Sequence, residues 1–289
     1  MNYRHHFHAG NFADVMKHAL LTRLVVALQK KEKGFLYLDT HAGRGSYDLA
    51  DAMKGDSLAR PPEHPDGIGR LWTRTDLPVA LAGYVELVKK FDEERGNQEP
   101  APRFYPGSPR IVQMLARPQD RLALYEKHPE EFELLDIELS RASRVSLQER
   151  DGYGALRATL PPPEKRALIL VDPPFEQADE FAQLVRAVDE GLHRFPSGVY
   201  ALWYPLTERA RVDAFFDGLV ALQLPPTLVL EFRVVGERSA AKFKGCGLVV
   251  INPPWQFDRE AGPLLDWLAD ALAQETGAGS SCRWLVPEK

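Results

Sequence analysis

The sequence predicts an α/β fold: a mostly parallel sheet with helices packed on both faces and an antiparallel strand added at one edge. Three observations carry this reading. The run Ala167-Leu168-Ile169-Leu170-Val171 is apolar without polar alternation, the habit of a parallel strand buried on both faces. Further strand-like runs recur at 35–39, 121–126, 198–203 and 247–251, with 3.6-residue apolar periodicity between them, as expected of strand–helix–strand units. Four strands in succession end on a carboxylate, at Asp39, Glu126, Asp151 and Asp172. Right-handed crossovers bring such ends to one side of a sheet.

The chain has 289 residues, 44% hydrophobic and 27% charged, which suits a soluble protein with a sizeable core and room for an insertion. A formal charge of −5 argues against indiscriminate nucleic-acid binding but allows a local basic face. Cys246 and Cys282 have no metal-ligand spacing and suggest no disulfide framework, which fits a reducing cytoplasm and no metal. No signal-type apolar segment opens the sequence and no run reaches membrane-spanning length. A cytoplasmic protein without a membrane partner is expected.

Taken in order, the chain opens with an arm dense in aromatics and cations, Tyr3-Arg4-His5-His6-Phe7-His8, suited to facing a ligand or RNA. A helix is expected over 11–33, with Asn11 as N-cap and Lys30, Lys31 and Lys33 at its C-terminal end. The strand 35–39 leads into Asp39-Thr40-His41-Ala42-Gly43-Arg44-Gly45, a turn whose glycines permit close backbone approach to a nucleoside. This is not a dinucleotide pattern, and an acidic residue before Ala-Gly-x-Gly resembles adenosylmethionine sites. An acidic partner for the ribose belongs about 20 residues on, at the next strand end, yet the next good strand is 121–126, ending on Glu126. A helical insertion over 53–105 fills the gap, leaving 1–52 and 106–289 as the main domain. Ser108-Pro109 reads as N-cap and first turn of the returning helix. Helices near 129–139, 181–192 and 208–222 alternate with strands at 144–147, 167–171, 198–203 and 227–234. The segment 236–245, with Arg238, Lys242 and Lys244, reads as an exposed basic loop. The strand 247–251 ends on Asn252-Pro253-Pro254-Trp255 and is expected at the sheet edge, away from the ligand.

Asp172-Pro173-Pro174-Phe175 is the chemically loaded turn. The Asp172 carboxylate and Pro173 carbonyl are two acceptors, matching the two hydrogens of a ring-bound amine. Phe175 offers a face on which the ring stacks. Drawing both hydrogens toward acceptors localises the nitrogen lone pair and makes the amine a nucleophile. The competing reading is a strand that stops at a Pro-Pro turn with a solvated carboxylate. Asn252-Pro253-Pro254-Trp255 is a look-alike, read as structural.

The stretches Tyr3-Arg4-His5, Phe7-His8-Ala9-Gly10-Asn11, Ala13-Asp14-Val15, Lys17-His18, Phe35 through Gly43, Tyr105-Pro106-Gly107-Ser108-Pro109, Asp151-Gly152, Asp172-Pro173-Pro174-Phe175, Ala201-Leu202-Trp203-Tyr204-Pro205 and Val250-Ile251-Asn252-Pro253-Pro254-Trp255 together resemble the bacterial 23S ribosomal RNA adenine-N6 methyltransferases of the RlmJ family. The resemblance covers essentially the full length. It implies a Rossmann-like class I fold, S-adenosyl-L-methionine as methyl donor, and one adenine amine of 23S rRNA as acceptor. It implies donor contacts from His18, His41, Ser108, Glu126, Asp151 and Gly152, to which the strand-end reading adds Asp39 and Gly43. Catalysis falls to Asp172 with Pro173 and Phe175, and RNA contact to Tyr3 with Arg4, Lys242 and Lys244. Phe175 stands where several relatives carry Tyr. The implied partner is 23S rRNA, free or in an early assembly particle, bound by a monomer. Rival readings are methylation of guanine N2, of a protein glutamine (disfavoured by an Asp at 172), a nicotinamide enzyme, and a noncatalytic assembly factor.

Overall fold

The computed structural model describes residues 7–53, 61–206 and 208–288. Asn11 caps the first helix as expected: its side-chain oxygen accepts from the Ala13 and Asp14 N–H groups, each at 2.9 Å. Helix α1 then runs Phe12–Gln29. It stops before the three lysines, which lie just beyond its last turn.

Strands β1 (Leu36–Asp39), β4 (Arg121–Glu126), β5 (Val145–Glu149), β6 (Ala167–Val171) and β7 (Val199–Pro205) are mutually parallel. With β8 (Thr227–Arg233), β9 (Gly245–Ile251) and β10 (Gly279–Val286) they form one sheet in the order β10-β8-β9-β7-β6-β1-β4-β5. The four acidic strand ends therefore come from adjacent strands. β9 is antiparallel to both β7 and β8. It lies inside the sheet rather than at the edge where the sequence reading put it. Every residue of β9 is buried, as a strand paired on both sides requires. The antiparallel edge belongs to β10, which the sequence hides: Gly279-Ser280-Ser281-Cys282 is small and polar, and the strand is only half-buried.

Residues alternate between two cores. Tyr37, Leu168 and Leu170 face the cluster built with α1, while Leu36, Leu38, Ile169 and Val171 face the opposite one. Helices α8 (Glu180–Arg194) and α9 (Arg209–Ala221) cover the second face, and α10 (Phe257–Ala271) joins α1 on the first.

The stretch 53–105 contains a short helix, α3 (Ile68–Leu71), and a long one, α4 (Val79–Glu94). The apolar stripe Leu81, Tyr84, Val85, Val88 and Phe91 is buried as its periodicity predicts. Strands β2 (Ser46–Asp48) and β3 (Phe104–Pro106) pair antiparallel and tie its two ends together. Ile68, Leu71, Leu81, Tyr84, Val85 and Val88 belong to the same apolar cluster as α1. Helix α5 (Ser108–Leu115) starts one residue earlier than expected, with Gly107 in the cap position. The Ser108 hydroxyl does not cap it and instead donates to Asp39, at 2.7 Å.

Because β9 runs antiparallel, Asn252 emerges at the edge opposite Asp172. Its amide donates to the Pro196 and Gly198 carbonyls, both at 2.8 Å, and its φ is 54°. Asn252→Ala should lower stability by about 1–3 kcal/mol, through two lost hydrogen bonds and a left-handed backbone that alanine tolerates less well. The methyl transfer that the resemblance implies should stay at the wild-type rate in the folded fraction. Urea unfolding beside single-turnover kinetics checks both parts.

Candidate active site

A cleft of about 670 Å³ opens beyond the carboxyl ends of β1, β4, β6 and β7. This is the size of small-molecule and cofactor sites. Asp172, Pro173 and Phe175 line it at the β6 exit, and Glu126, Asp151 and Gly152 at the exits of β4 and β5. His18, His41, Gly43 and Ser108 complete the donor-side residues expected there.

Asp39 does not reach the cleft. It is fully buried, accepting from the Tyr37 and Ser108 hydroxyls at 2.7 Å each and from the His41 N–H at 3.3 Å. It thus fixes Ser108 and the start of the glycine turn from behind. Burial pushes its carboxyl up to about 6, opposed by the Ser108 and Tyr37 hydrogen bonds. Lys242 and Lys244 also stay outside the cleft; the Lys244 ammonium donates to the Glu237 carbonyl at 2.6 Å. From that loop it is Phe243 that lines the cleft, its ring 4.9 Å from Phe12. Tyr3 and Arg4 lie outside the described residues.

Glu126 has a structural duty that its strand-end position does not advertise. One oxygen accepts the Gly43 N–H at 2.8 Å and the other the His128 N–H at 2.7 Å. Burial raises its pKa, and those backbone bonds oppose the rise. Gly43 has a φ of +60°, and a Cβ there would sit 2.8 Å from the Tyr47 hydroxyl. At Gly152 a Cβ would stand 1.8 Å from the Thr40 carbonyl oxygen, so only glycine allows the β5 exit to approach the β1 turn. Asp151 pairs with Lys127 at 2.9 Å; burial works to raise its pKa, but Lys127 holds it low. Loss of water around the His41 ring pushes its imidazole down to about 4, so it is neutral near pH 7.

The residue missed in the sequence is Lys17. Its ammonium lies 2.9 Å from Asp14 and 2.6 Å from Asp172. Burial works to lower its pKa, but the two carboxylates outweigh that and hold it well above the ordinary lysine value. The available signal was two charges, Asp14 and Lys17, one helical turn apart on the buried side of α1. His18, next on that helix, meets the Tyr105 hydroxyl at 2.7 Å, which meets Tyr84 of α4 at 2.8 Å. Phe175 has a positive φ of 50° and packs against Phe181 and Trp203, centroids 4.8 and 5.9 Å away.

A family model described as "Ribosomal RNA large subunit methyltransferase D, RlmJ" matches residues 32–286. The chain belongs to the RlmJ family. Proteins named "Ribosomal RNA large subunit methyltransferase J" from Escherichia coli (strain K12) and Haemophilus influenzae are 39% and 40% identical to it over 288 residues, 100% of each chain. The crystal structure of LPL1258 from Legionella pneumophila superposes with a TM-score of 0.83 at 34% identity, covering 96% of this chain and 97% of that one. The RlmJ match thus spans both the glycine turn and the Asp172 edge.

Asp39 gives a pH test of this packing. Its folded-state value of about 6 lies above the unfolded aspartate's, roughly 3.9. Its contribution to stability is therefore greatest below pH 4 and falls as pH rises to about 6. Relative to Asp39→Asn, the wild type should lose up to about 3 kcal/mol across that window. Urea midpoints of both proteins at pH 4.5 and 7 measure it; a difference that does not move with pH contradicts the assignment.

Proposed function

We propose that the chain transfers the methyl group of S-adenosyl-L-methionine to the N6 amine of an adenine in 23S ribosomal RNA. Membership of the RlmJ family makes it a large-subunit rRNA methyltransferase. The observation that carries the finer reading is Asp172: a carboxylate at the exit of a central strand, inside the cleft, beside a prolyl carbonyl and an aromatic ring.

Lys17 takes Asp172 Oδ2. That leaves Oδ1 and the Pro173 carbonyl for the two hydrogens of the amine. Accepting both of them withdraws the nitrogen lone pair from the ring and aims it across the cleft. Asp14, Lys17 and Asp172 together carry one net negative charge. Nitrogen becomes cationic as its bond to carbon forms, and that charge stabilises it. The resulting ammonium is acidic enough to release its proton to water. Phe175 stands at the wall of the pocket to pack against the base, which enters flipped or unpaired.

The donor supplies, when bound, a methyl group on a positive sulfur; as nitrogen bonds to that carbon, the carbon–sulfur bond would break and the sulfur would leave as a neutral thioether. Glu126, Gly43, Asp151, Gly152, Ser108, His41 and His18 would hold it, and the fit is good. The turn is bare of Cβ atoms where close approach is needed, and Glu126 has lone pairs beyond the two it uses on backbone N–H groups. Neutral His41 adds no positive charge beside a cationic donor. Tyr3 and Arg4, beyond the described residues, are our candidates for stacking and phosphate contact with the RNA. The RNA is met in the cytoplasm, free or in an early assembly particle, where the target base is accessible.

Labelled-methyl transfer to 23S rRNA fragments followed by nucleoside analysis tests the reading. N6-methyladenosine is expected, and N2-methylguanosine would overturn it. Asp172→Asn should slow single-turnover transfer by about 10²–10³ while leaving donor affinity near wild type. Glu126→Ala should weaken donor binding by about 1.5–3 kcal/mol. Glu126→Gln, which keeps one carbonyl for the backbone, should recover part of that loss in titration calorimetry.

A further inference from the structure

Asn252-Pro253-Pro254-Trp255 takes no part in the reaction, because β9 carries it to the edge of the sheet away from Asp172. What the turn does there is hold Trp255 out into solvent. Asn252 pins it to two carbonyls, two prolines stiffen the next step, and Gln256 takes a φ of 60°, a conformation unfavourable for a residue with a Cβ. Trp255 is 76% exposed, the one aromatic among the large apolar residues described as exposed. It borders a second pocket of about 190 Å³, flanked by Lys30 at the end of α1 and Arg259 in α10. Glu260 lines the same pocket, but its two oxygens already accept from Arg23, at 2.9 and 3.1 Å. Lys31 and Lys33, both exposed, follow Lys30 in the chain. Arg166 joins the same turn, donating to the Leu28 carbonyl at 2.6 Å and to that of Lys33. Lys30 and Arg259 thus set two cations beside the indole, while Glu32 is the acidic residue within the lysine turn.

We propose that this is a second docking site for RNA. An unpaired base of the substrate stacks on Trp255 while Lys30 and Arg259 hold the adjoining phosphates. An aromatic face set among cations is the combination that binds single-stranded nucleic acid. A protein partner would call for a contiguous apolar patch, and here one apolar ring stands among charges. The site lies across the sheet from the methylation cleft. Five residues of β6 alone span roughly 17 Å, so a hairpin that only fills the cleft does not reach it, whereas a longer fragment does. The inference rests on ribosomal RNA being the substrate.

The test compares two 23S rRNA fragments that contain the modified base: a minimal hairpin, and a longer one with single-stranded flanks. Trp255→Ala should bind the longer RNA about 5- to 150-fold more weakly and methylate the hairpin at the wild-type rate. Trp255→Phe should keep most of the affinity. Replacing Lys30 and Arg259 together by alanine should reduce the slope of log K against log salt by about 1.4 for the longer RNA. Wild-type affinity of Trp255→Ala for the longer fragment, with both RNAs methylated, overturns the docking site and leaves the methyltransferase reading standing. A wild-type protein that binds neither RNA overturns both.

Discussion

Parallel strands that leave a sheet side by side bring their end residues together, and here β5, β4, β1 and β6 bring four carboxylates to one edge. Like charges gathered at one edge repel, and those that are buried also lose hydration. Each carboxylate is relieved by partners of its own. Asp39 accepts two hydroxyls, Glu126 two backbone N–H groups, Asp151 a lysine across the turn, and Asp172 a lysine from α1. The partners are also what shape the site. The serine that relieves Asp39 lines the cleft, and the amides that relieve Glu126 fix the glycine turn. The lysine that relieves Asp172 binds the N-terminal helix to the exit of β6.

Much of this architecture could be read from residues alone. Unbroken apolar runs located the interior parallel strands, and the buried stripe of α4 followed from Leu81, Tyr84, Val85, Val88 and Phe91. The strand-end carboxylates could be assigned to one edge because backbone direction, which topology rules predict, decides where they emerge. Side-chain partnership across the sheet was not legible. Lys17 and Asp172 are 155 residues apart, and Ser108 and Asp39 are 69 apart. No local pattern links either pair. Nor does an apolar run state whether its strand is inside or at an edge, so the interior position of β9 is not legible in its residues. β10 is not legible either, because a half-buried edge strand has no need of an apolar run.

The N-terminal helix and the 53–105 stretch are coupled to the same site through buried polar contacts. His18 lines the cleft, and its ring reaches Tyr84 through Tyr105. At the other end of α4, Arg95 pairs with Glu138 of α6 (Pro129–Leu139), the helix that follows the β4 turn. Glu131 on that helix holds Arg44 of the glycine turn and also lines the cleft. Segments far apart in sequence thus share one polar scaffold around the glycine turn.

The inward position of β9 imposes an order on synthesis. By Pro205 the ribosome has delivered β5, β4, β1, β6 and β7, five strands that pair completely with one another. β8 emerges next, yet its neighbour toward the centre is a strand not yet made. Until Ile251 is released, the outer side of β7 and both sides of β8 present unpaired backbone groups, a template for pairing with another chain. The nascent protein therefore passes through a window in which the half that forms most of the cleft is assembled while the other half is open to aggregation.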